Sequence, residues 1–159
     1  MVHKIRFPTI SENLIKLLEK NPQKYYEELC NLKNKYNMDI IKKILDCVHY
    51  KCYMGHHLHA LVYIVGDLFF EEAKQKDIYG THISVSEDLG IQILAKLIEY
   101  NIDLYIENYY NESPLQNLMS HGFTKRKNNL KFKKKLQEYY IRDLDKELPL
   151  KSKKTKLIA

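Results

Sequence analysis

The sequence predicts an all-α protein of stacked helical hairpins, and three observations support this prediction. Apolar residues recur every three or four positions through most of the chain, which is the period of amphipathic helices. The helical segments have roughly 15 residues each, with short breaks between them. Two stretches, 77–90 and 108–122, can be aligned, and the glycines that close them, Gly90 and Gly122, lie 32 residues apart. A period between 20 and 50 residues is typical of stacked repeats.

The first 55 residues predict a helical N-terminal part. Ser11 is expected to cap a first helix, and Pro22 fits the first turn of a second helix, where its missing N–H costs nothing. A third helix is expected from about Asp39, its end marked by Gly55, and an apolar helix follows toward Ala73. This part is either a helical cap on a repeat array or a set of repeats with eroded turns.

A further helix is expected after Gly90, and Asn101 can close it in the left-handed conformation that Asn and Gly favour. Residues 102–106 then alternate apolar and polar, which predicts a short strand or hairpin arm. A turn is expected at 108–111, and Ser113 followed by proline forms an N-cap and first-turn pair for the next helix. The apolar stripe of the first of these helices comprises Ile91, Leu94, Leu97 and Ile98.

This unit resembles the ankyrin repeat. The inner-helix start of the family, Thr-Pro-Leu-His, is matched by Ser113, Pro114 and Leu115, with Gln116 in place of His. The outer-helix pattern is similar to residues 97–103. A preceding turn contains Asp77, Gly80 and Thr81, although the inner helix after it departs from the pattern, and a fainter copy spans 56–61, in which His59 has the position of the family histidine that hydrogen-bonds the neighbouring turn. The resemblance covers roughly residues 56–136.

The resemblance implies an ankyrin-like solenoid that binds another protein and has neither enzymatic activity nor a cofactor. We expect one repeat domain over residues 1–150, with a capping helix at 137–150, and a basic disordered tail at 151–159. In the family, turn tips and inner-helix ends contact the partner. The corresponding residues are Ile78, Tyr79, Tyr109, Tyr110, Glu112, Ser120 and His121. Exposed tyrosines are enriched at interfaces, although one of the adjacent pair could instead pack back on its neighbouring hairpin.

The net charge of +6 is unevenly distributed, because residues 81–123 are acidic and residues 124–159 are strongly basic. The basic patch comprises Lys125, Arg126, Lys127, Lys131, Lys133, Lys134 and Lys135. It is a solvated capping face, a nuclear-import or anionic-surface signal, or a nucleic-acid contact. Base stacking requires aromatic residues among the basic ones, and Phe132 has the spacing of a core residue. A nucleic-acid-associated protein is therefore the alternative to a protein-binding module.

Six cysteine and histidine residues lie within positions 47–59, which raises the question of a zinc site. If a metal binds, the expected ligands are Cys47, Cys52, His56 and His57. The spacing is not that of a zinc finger, since the two cysteines are five positions apart and no distant second pair follows. The other interpretation is that these histidines are structural and the thiols are buried.

Catalytic motifs for phosphate binding, serine hydrolysis or zinc proteolysis are not found in the sequence. The longest apolar stretch, 58–70, is too short and too interrupted to span a bilayer, and no secretory signal is expected. Three cysteines favour a reducing intracellular location, cytoplasmic or nuclear. The excess of Lys, Ile and Asn suggests an AT-rich genome, such as that of an intracellular bacterium or large DNA virus, and hence an effector that binds a host protein.

Overall fold

The computed structural model describes residues 6–49, 56–65, 86–108, 110–120 and 130–147. Within these ranges the chain forms α-helices, one 3₁₀ turn at Leu32–Asn34 and irregular connections, without a β-strand. The predicted all-α class is confirmed. The helices are α1 (Phe7–Lys20), α2 (Pro22–Asn31), α3 (Met38–Leu45), α4 (His57–Val65), α5 (Glu87–Glu99), α6 (Pro114–Ser120) and α7 (Leu130–Glu147).

Side-chain caps begin several of these helices. Asn21 and Asn37 accept hydrogen bonds from backbone amides at the starts of α2 and α3, and Ser86 does the same for α5. Each cap satisfies an amide that has no partner inside the helix. Ser113 and Gln116 form a reciprocal pair at α6: the Gln116 amide donates to Ser113 Oγ at 3.2 Å, and the Ser113 amide donates to Gln116 Oε1 at 2.7 Å. The predicted cap at Ser113 is thus confirmed as a capping box.

The described helices pack in pairs and in two rows. α1 packs against α2, α4 against α5, and α6 against α7. One row consists of α1, α4 and α6 in successive contact, and the other row of α2, α5 and α7, while α3 packs on α1 and the 3₁₀ turn. Of the predicted stripe on α5, Leu94 and Leu97 are fully buried, while Ile91 and Ile98 are partly buried. Ile93, which was not part of that stripe, is fully buried as well. The ankyrin type of this arrangement stays a prediction.

Four sequence expectations about local structure are wrong. The third helix was expected to end at Gly55, but α3 ends at Leu45 and residues 46–49 are not helical. Ser11 does not cap α1, because the helix begins at Phe7 and Ser11 is buried inside it. Gly90 does not precede a helix but lies in the first turn of α5. Residues 102–106 are not a strand; they form turns and irregular backbone between α5 and α6. Most of the segment expected as a capping helix at 137–150 belongs to α7, which begins at Leu130.

Gly90 permits α4 and α5 to approach closely. A Cβ atom at this position would lie 2.7 Å from Cγ2 of Val65, well inside van der Waals contact. The close contact with α4 therefore explains why glycine, which has a poor helix propensity, lies inside α5. Hydrogen bonds tie the pairs further: the Tyr100 hydroxyl donates to the Leu29 carbonyl at 2.6 Å, and the Tyr63 hydroxyl donates to Asn117 Oδ1 at 2.8 Å.

Among the helices of the described ranges, none combines the length and the apolar character needed to cross a membrane. The predicted continuation of the apolar helix from Gly66 to Ala73 lies outside the described residues.

Candidate functional site

The connection between α5 and α6 is closed on itself by one asparagine. The Asn108 side chain accepts hydrogen bonds from the amides of Tyr110, at 2.9 Å, and Glu112, at 3.1 Å. The backbone amide of Asn108 donates to the Glu112 carbonyl at 3.0 Å. Asn111 has a φ of 59°, a left-handed conformation that Asn tolerates better than most residues. The predicted turn is confirmed, and its hydrogen bonds leave it little freedom to rearrange.

Neighbouring elements hold this connection from both sides. His59 on α4 donates from Nε2 to the Glu112 carbonyl at 2.7 Å, a contact between an inner-helix histidine and the next turn that the ankyrin resemblance implies. The Tyr140 hydroxyl on α7 donates to the Leu104 carbonyl. Asp46 Oδ1 at the end of α3 accepts from the Asp103 amide at 2.8 Å. Hydrogen bonds from α3, α4 and α7 therefore hold the connection in one conformation.

Tyrosine and carboxylate side chains face solvent on this loop, which we define as the 103–112 loop. Tyr110 is 58% exposed and Tyr105 is 40% exposed. The Tyr105 ring meets the Tyr140 ring edge-on at a centroid distance of 5.3 Å, which is a favourable aromatic geometry. Asp103 and Glu107 are exposed and Glu112 is half-buried. The surface thus offers aromatic area with polar tips and negative charge.

The sequence prediction of the contact surface is only partly within the described residues. Tyr110 and Glu112 lie together on the 103–112 loop. Ser120 is the last residue of α6, and its side chain is outside the description. Ile78, Tyr79, Tyr109 and His121 lie outside the described residues. Sequence reasoning did not propose Asp103, Tyr105 and Glu107 as contact residues, because their alternation with apolar residues was interpreted only as a strand arm. That alternation was the signal that could have found them, since all three are exposed.

The basic patch is described from Lys131 onward, on α7. Lys131 and Lys134 are exposed, Lys133 and Lys135 are half-buried, and Lys135 lies 3.6 Å from Glu138. Phe132 is fully buried, which confirms its predicted place in the core and removes it from base stacking. The carboxylate of Glu87 accepts from the amides at the start of α7. Lys125, Arg126 and Lys127 lie outside the described residues.

Four buried histidines form a continuous polar layer between the first hairpin and α4. We call His49, His56, His57 and His59 the histidine layer. His57 Nε2 lies 2.9 Å from Ser11 Oγ, and its Nδ1 lies 2.8 Å from the Tyr25 hydroxyl. His49 Nε2 lies 2.8 Å from the same Ser11 oxygen. These bonds join α1, α2 and α4 through side chains far apart in sequence.

Asp46 is the carboxylate of this region. Its Oδ1 lies 3.6 Å from His56 Nε2, and its Oδ2 lies 2.7 Å from Lys42 Nζ. Burial disfavours the charged carboxylate, but the nearby His56 ring and the hydrogen bonds from the Asp103 amide and from Lys42 outweigh that effect and lower the pKa of Asp46. Asp46 therefore stays ionised at neutral pH and holds α3, the histidine layer and the 103–112 loop together.

Burial lowers the pKa values of three histidines in the layer. The pKa of His57 falls well below its ordinary value, through burial first and the neighbouring histidines second. Burial lowers the pKa of His59 to about 4, and it also lowers the pKa of His49. The mechanism is the loss of water around the charged ring, and the negative charges of Asp46 near His57 and of Glu12 near His49 offset it only in part.

The three candidate zinc ligands within the described residues, Cys47, His56 and His57, do not form a metal-binding group. Both ring nitrogens of His57 are engaged by Ser11 and Tyr25, and the Cys47 thiol donates to the Lys43 carbonyl at 3.1 Å. Cys52 lies outside the described residues. In the described part of the chain, no three His, Cys, Asp or Glu side chains are grouped so that they could hold a metal ion. The alternative interpretation as structural histidines fits this geometry, while Cys47 is half-buried rather than buried.

The order Ser11, His57, Tyr25 has the hydrogen-bond sequence of a nucleophile, a base and an orienting group. Three facts oppose that role. Ser11 is fully buried within a helix, its hydroxyl is shared with a second histidine, and the lowered pKa of His57 reflects a dry core position rather than a cleft. The chain of bonds cross-links the helices, and a substrate could not reach it without unpacking α1.

Comparison with known proteins gives no assignment: the chain matches no protein-family model, and neither a curated protein nor a solved structure matches it significantly.

Proposed function

We propose that this protein is a non-enzymatic protein-binding module of ankyrin-like architecture, which contacts its partner through the 103–112 loop. The observation that carries the proposal is an exposed tyrosine pair, Tyr105 and Tyr110, on a loop fixed from both sides. A loop already held in one conformation loses little entropy on binding, so more of the contact energy appears as affinity.

The side chains of the loop suit such a contact. Tyrosine is enriched among interface hot spots, because a rigid ring offers large area and the hydroxyl a hydrogen bond. Residue composition favours an intracellular bacterium or large DNA virus as source, so the partner in this proposal is a host protein and the role is that of an effector.

Site-specific photo-crosslinking tests the proposal directly. A photoreactive phenylalanine replaces Tyr110 in one variant and Met38 in a matched control. Met38 is 47% exposed and is the first residue of α3, at the opposite end of that helix from Asp46, which contacts the loop. Both variants are exposed to cell lysate treated with nuclease. The proposal requires a discrete protein adduct from position 110 that position 38 does not give. Equal labelling from both positions, or none from position 110, would exclude the loop as the contact surface.

Salt dependence and nuclease treatment distinguish the alternative, nucleic-acid binding by α7. Exposed Lys131 and Lys134 are the described residues that could contact phosphates. Phosphate contacts by several lysines weaken steeply with added salt, whereas an interface centred on tyrosine does not. The alternative predicts that the parent chain retains nucleic acid when nuclease is omitted and that a Lys131→Gln/Lys134→Gln variant does not. If this is observed and position 110 forms no protein adduct, the function belongs to the basic helix α7.

A further inference from the structure

The histidine layer occupies the joint between the first hairpin and the rest of the protein. His57 and His59 lie in the first turn of α4, and the contacts reach α1 through Ser11, α2 through Tyr25, and the 103–112 loop through the Glu112 carbonyl. A neutral His57 ring satisfies both of its bonds, with one nitrogen as donor and the other as acceptor, because each hydroxyl can take either role. Protonation of both His57 and His59 would act on α1, α2, α4 and the loop.

A charged ring is poorly accommodated at these positions. His59 uses Nε2 as the donor to Glu112, while its Nδ1 is buried without a hydrogen-bond partner, so an added proton there would have no acceptor. The first turn of α4 carries the positive end of the helix dipole, which also opposes a cation. The rings of His57 and His59 lie 6.2 Å and 5.7 Å from the ring of His56, so charges on several of them would repel one another.

The elements packed around the histidine layer provide little negative charge to stabilise a protonated ring. From α5 the layer meets an apolar element with Ile93 and Leu94 in the core, and from α6 the described polar neighbour is the uncharged Asn117, bound to Tyr63. The loop contributes the carbonyl of Glu112. The titratable and charged groups that act on the layer from the remaining elements are Glu12 on α1, Tyr25 on α2, and Lys42 and Asp46 on α3. Glu12 favours the charged form of His49 alone, and the negative charge of Asp46 is already paired with Lys42.

We propose that the histidine layer is an acid-sensitive joint, which opens in mildly acidic solution, separating the α1–α2 hairpin from α4 and releasing the 103–112 loop. The opening itself is independent of the proposed function, and the loss of partner binding that would accompany it rests on that function. Protons enter from solvent onto the ring nitrogens of His57 and His59 in the open state, and they leave again when the pH is raised.

Proton linkage determines whether acid favours the open or the closed state of the joint. The pKa values of His49, His57 and His59 are lowered in the closed state, so the open state binds more protons once the pH falls below the ordinary histidine value. Closure is therefore fully favoured above about pH 6.5 and weakens as the pH falls. Each histidine that stays neutral when closed raises the opening constant about 30-fold between pH 7.5 and pH 5.

Amide hydrogen exchange of the full chain, corrected for the intrinsic pH dependence, measures this opening. Between pH 7.5 and pH 5, protection in α1, α2 and residues 103–115 should fall at least about 30-fold more than protection at the centres of α5 and α7. Uniform loss over all helices, or no loss, would overturn the proposal. A chelator that produced the same loss at pH 7.5 would overturn it as well, by making the joint depend on a metal.

Two variants assign the protons. His57→Gln/His59→Gln keeps polar groups in the layer but removes two titrating rings, so the extra loss of protection should shrink by a factor on the order of 30 to 1,000. The matched control replaces by Asn the histidines outside the described residues, His3, His82 and His121, and should behave as the parent chain. If the control variant loses the extra pH-dependent loss of protection and the double variant keeps it, His57 and His59 are not the groups that take up the protons. If the double variant does not fold, NMR titration of the parent decides: a ring of His57 or His59 that protonates above pH 6 in the closed state contradicts the proposal.

Discussion

Replacing Gly90 by alanine tests the close packing of α4 against α5. The added methyl would lie 2.7 Å from Val65 Cγ2, and 3.6 Å from both Val65 Cγ1 and Phe132 Cδ2. Valine in a helix has one strongly preferred side-chain rotamer, so rotation of Val65 cannot relieve the contact cheaply. The helices must then separate, or the side chain must leave its rotamer.

Two opposing effects determine how much Gly90→Ala changes the free energy of unfolding. Alanine is about 1 kcal/mol more favourable than glycine inside a helix, whereas forcing a methyl into a packed core costs about 1–3 kcal/mol. The net expectation is a destabilisation of about 1 kcal/mol. In a Val65→Ala background the obstructing methyls are gone, and the same Gly90→Ala change should become stabilising by up to about 1 kcal/mol.

Urea unfolding followed by circular dichroism measures this double-mutant cycle, with the midpoint compared at a constant slope. We expect a coupling between positions 65 and 90 of about 2 kcal/mol, the difference between the two backgrounds. A Gly90→Ala variant that is more stable than the parent by about 1 kcal/mol, with additive behaviour in the double mutant, would refute the reasoning. Such a result would mean that α5 does not approach α4 at Gly90.

Two further predictions concern the loop and its histidine contact. Asn111 has a φ of 59°, so Asn111→Ala should cost about 1–2 kcal/mol of unfolding free energy, whereas Asn111→Gly should change it little; equal effects in chemical denaturation would contradict the left-handed turn. Burial lowers the pKa of His59 from 6.5 to about 4, so this residue should remove about 3 kcal/mol of stability as the pH falls from 6.5 to 4. His59→Gln should flatten that part of the pH–stability curve, and an unchanged curve would show that His59 titrates normally.

Local sequence signals predicted the parts of the fold that depend on neighbours in the chain. Pro22 starts α2, Asn101 ends α5 with a φ of 59°, and Ser113 caps α6. These features depend on backbone geometry within a few residues, which a sequence displays directly. Phe132 and Leu136 were likewise identifiable as core by their spacing on one helix face.

Long-range contacts decided the cases that the sequence prediction missed. Ser11 has the residue type of a helix cap, yet its hydroxyl is used by His57 and His49, which are 46 and 38 positions away. Gly90 has the residue type of a turn, yet what it provides is space for Val65. No local pattern distinguishes a glycine needed for φ from one needed for close packing.

The candidate site also has one part that the sequence predicted and another part that depends on long-range contacts. Tyr110 was expected in an exposed turn and is 58% exposed there. The support of that turn by His59 and Tyr140, from helices on either side, appears only in three dimensions. The histidines of positions 49–59 were identified as an unusual cluster from the sequence, but the choice between metal ligation and structural hydrogen bonds required the positions of Ser11 and Tyr25.

The central claim is that the 103–112 loop binds a protein partner, and one affinity measurement tests it most directly. The protein crosslinked at position 110 is purified and titrated against the parent chain, Tyr110→Ala, and the control Ile141→Ala, whose side chain is 54% exposed on α7. Tyr110→Ala should weaken binding about 5- to 30-fold, or about 1–2 kcal/mol, with an unchanged urea midpoint, and Ile141→Ala should leave affinity unchanged. Equal affinities for the parent and Tyr110→Ala would contradict the account.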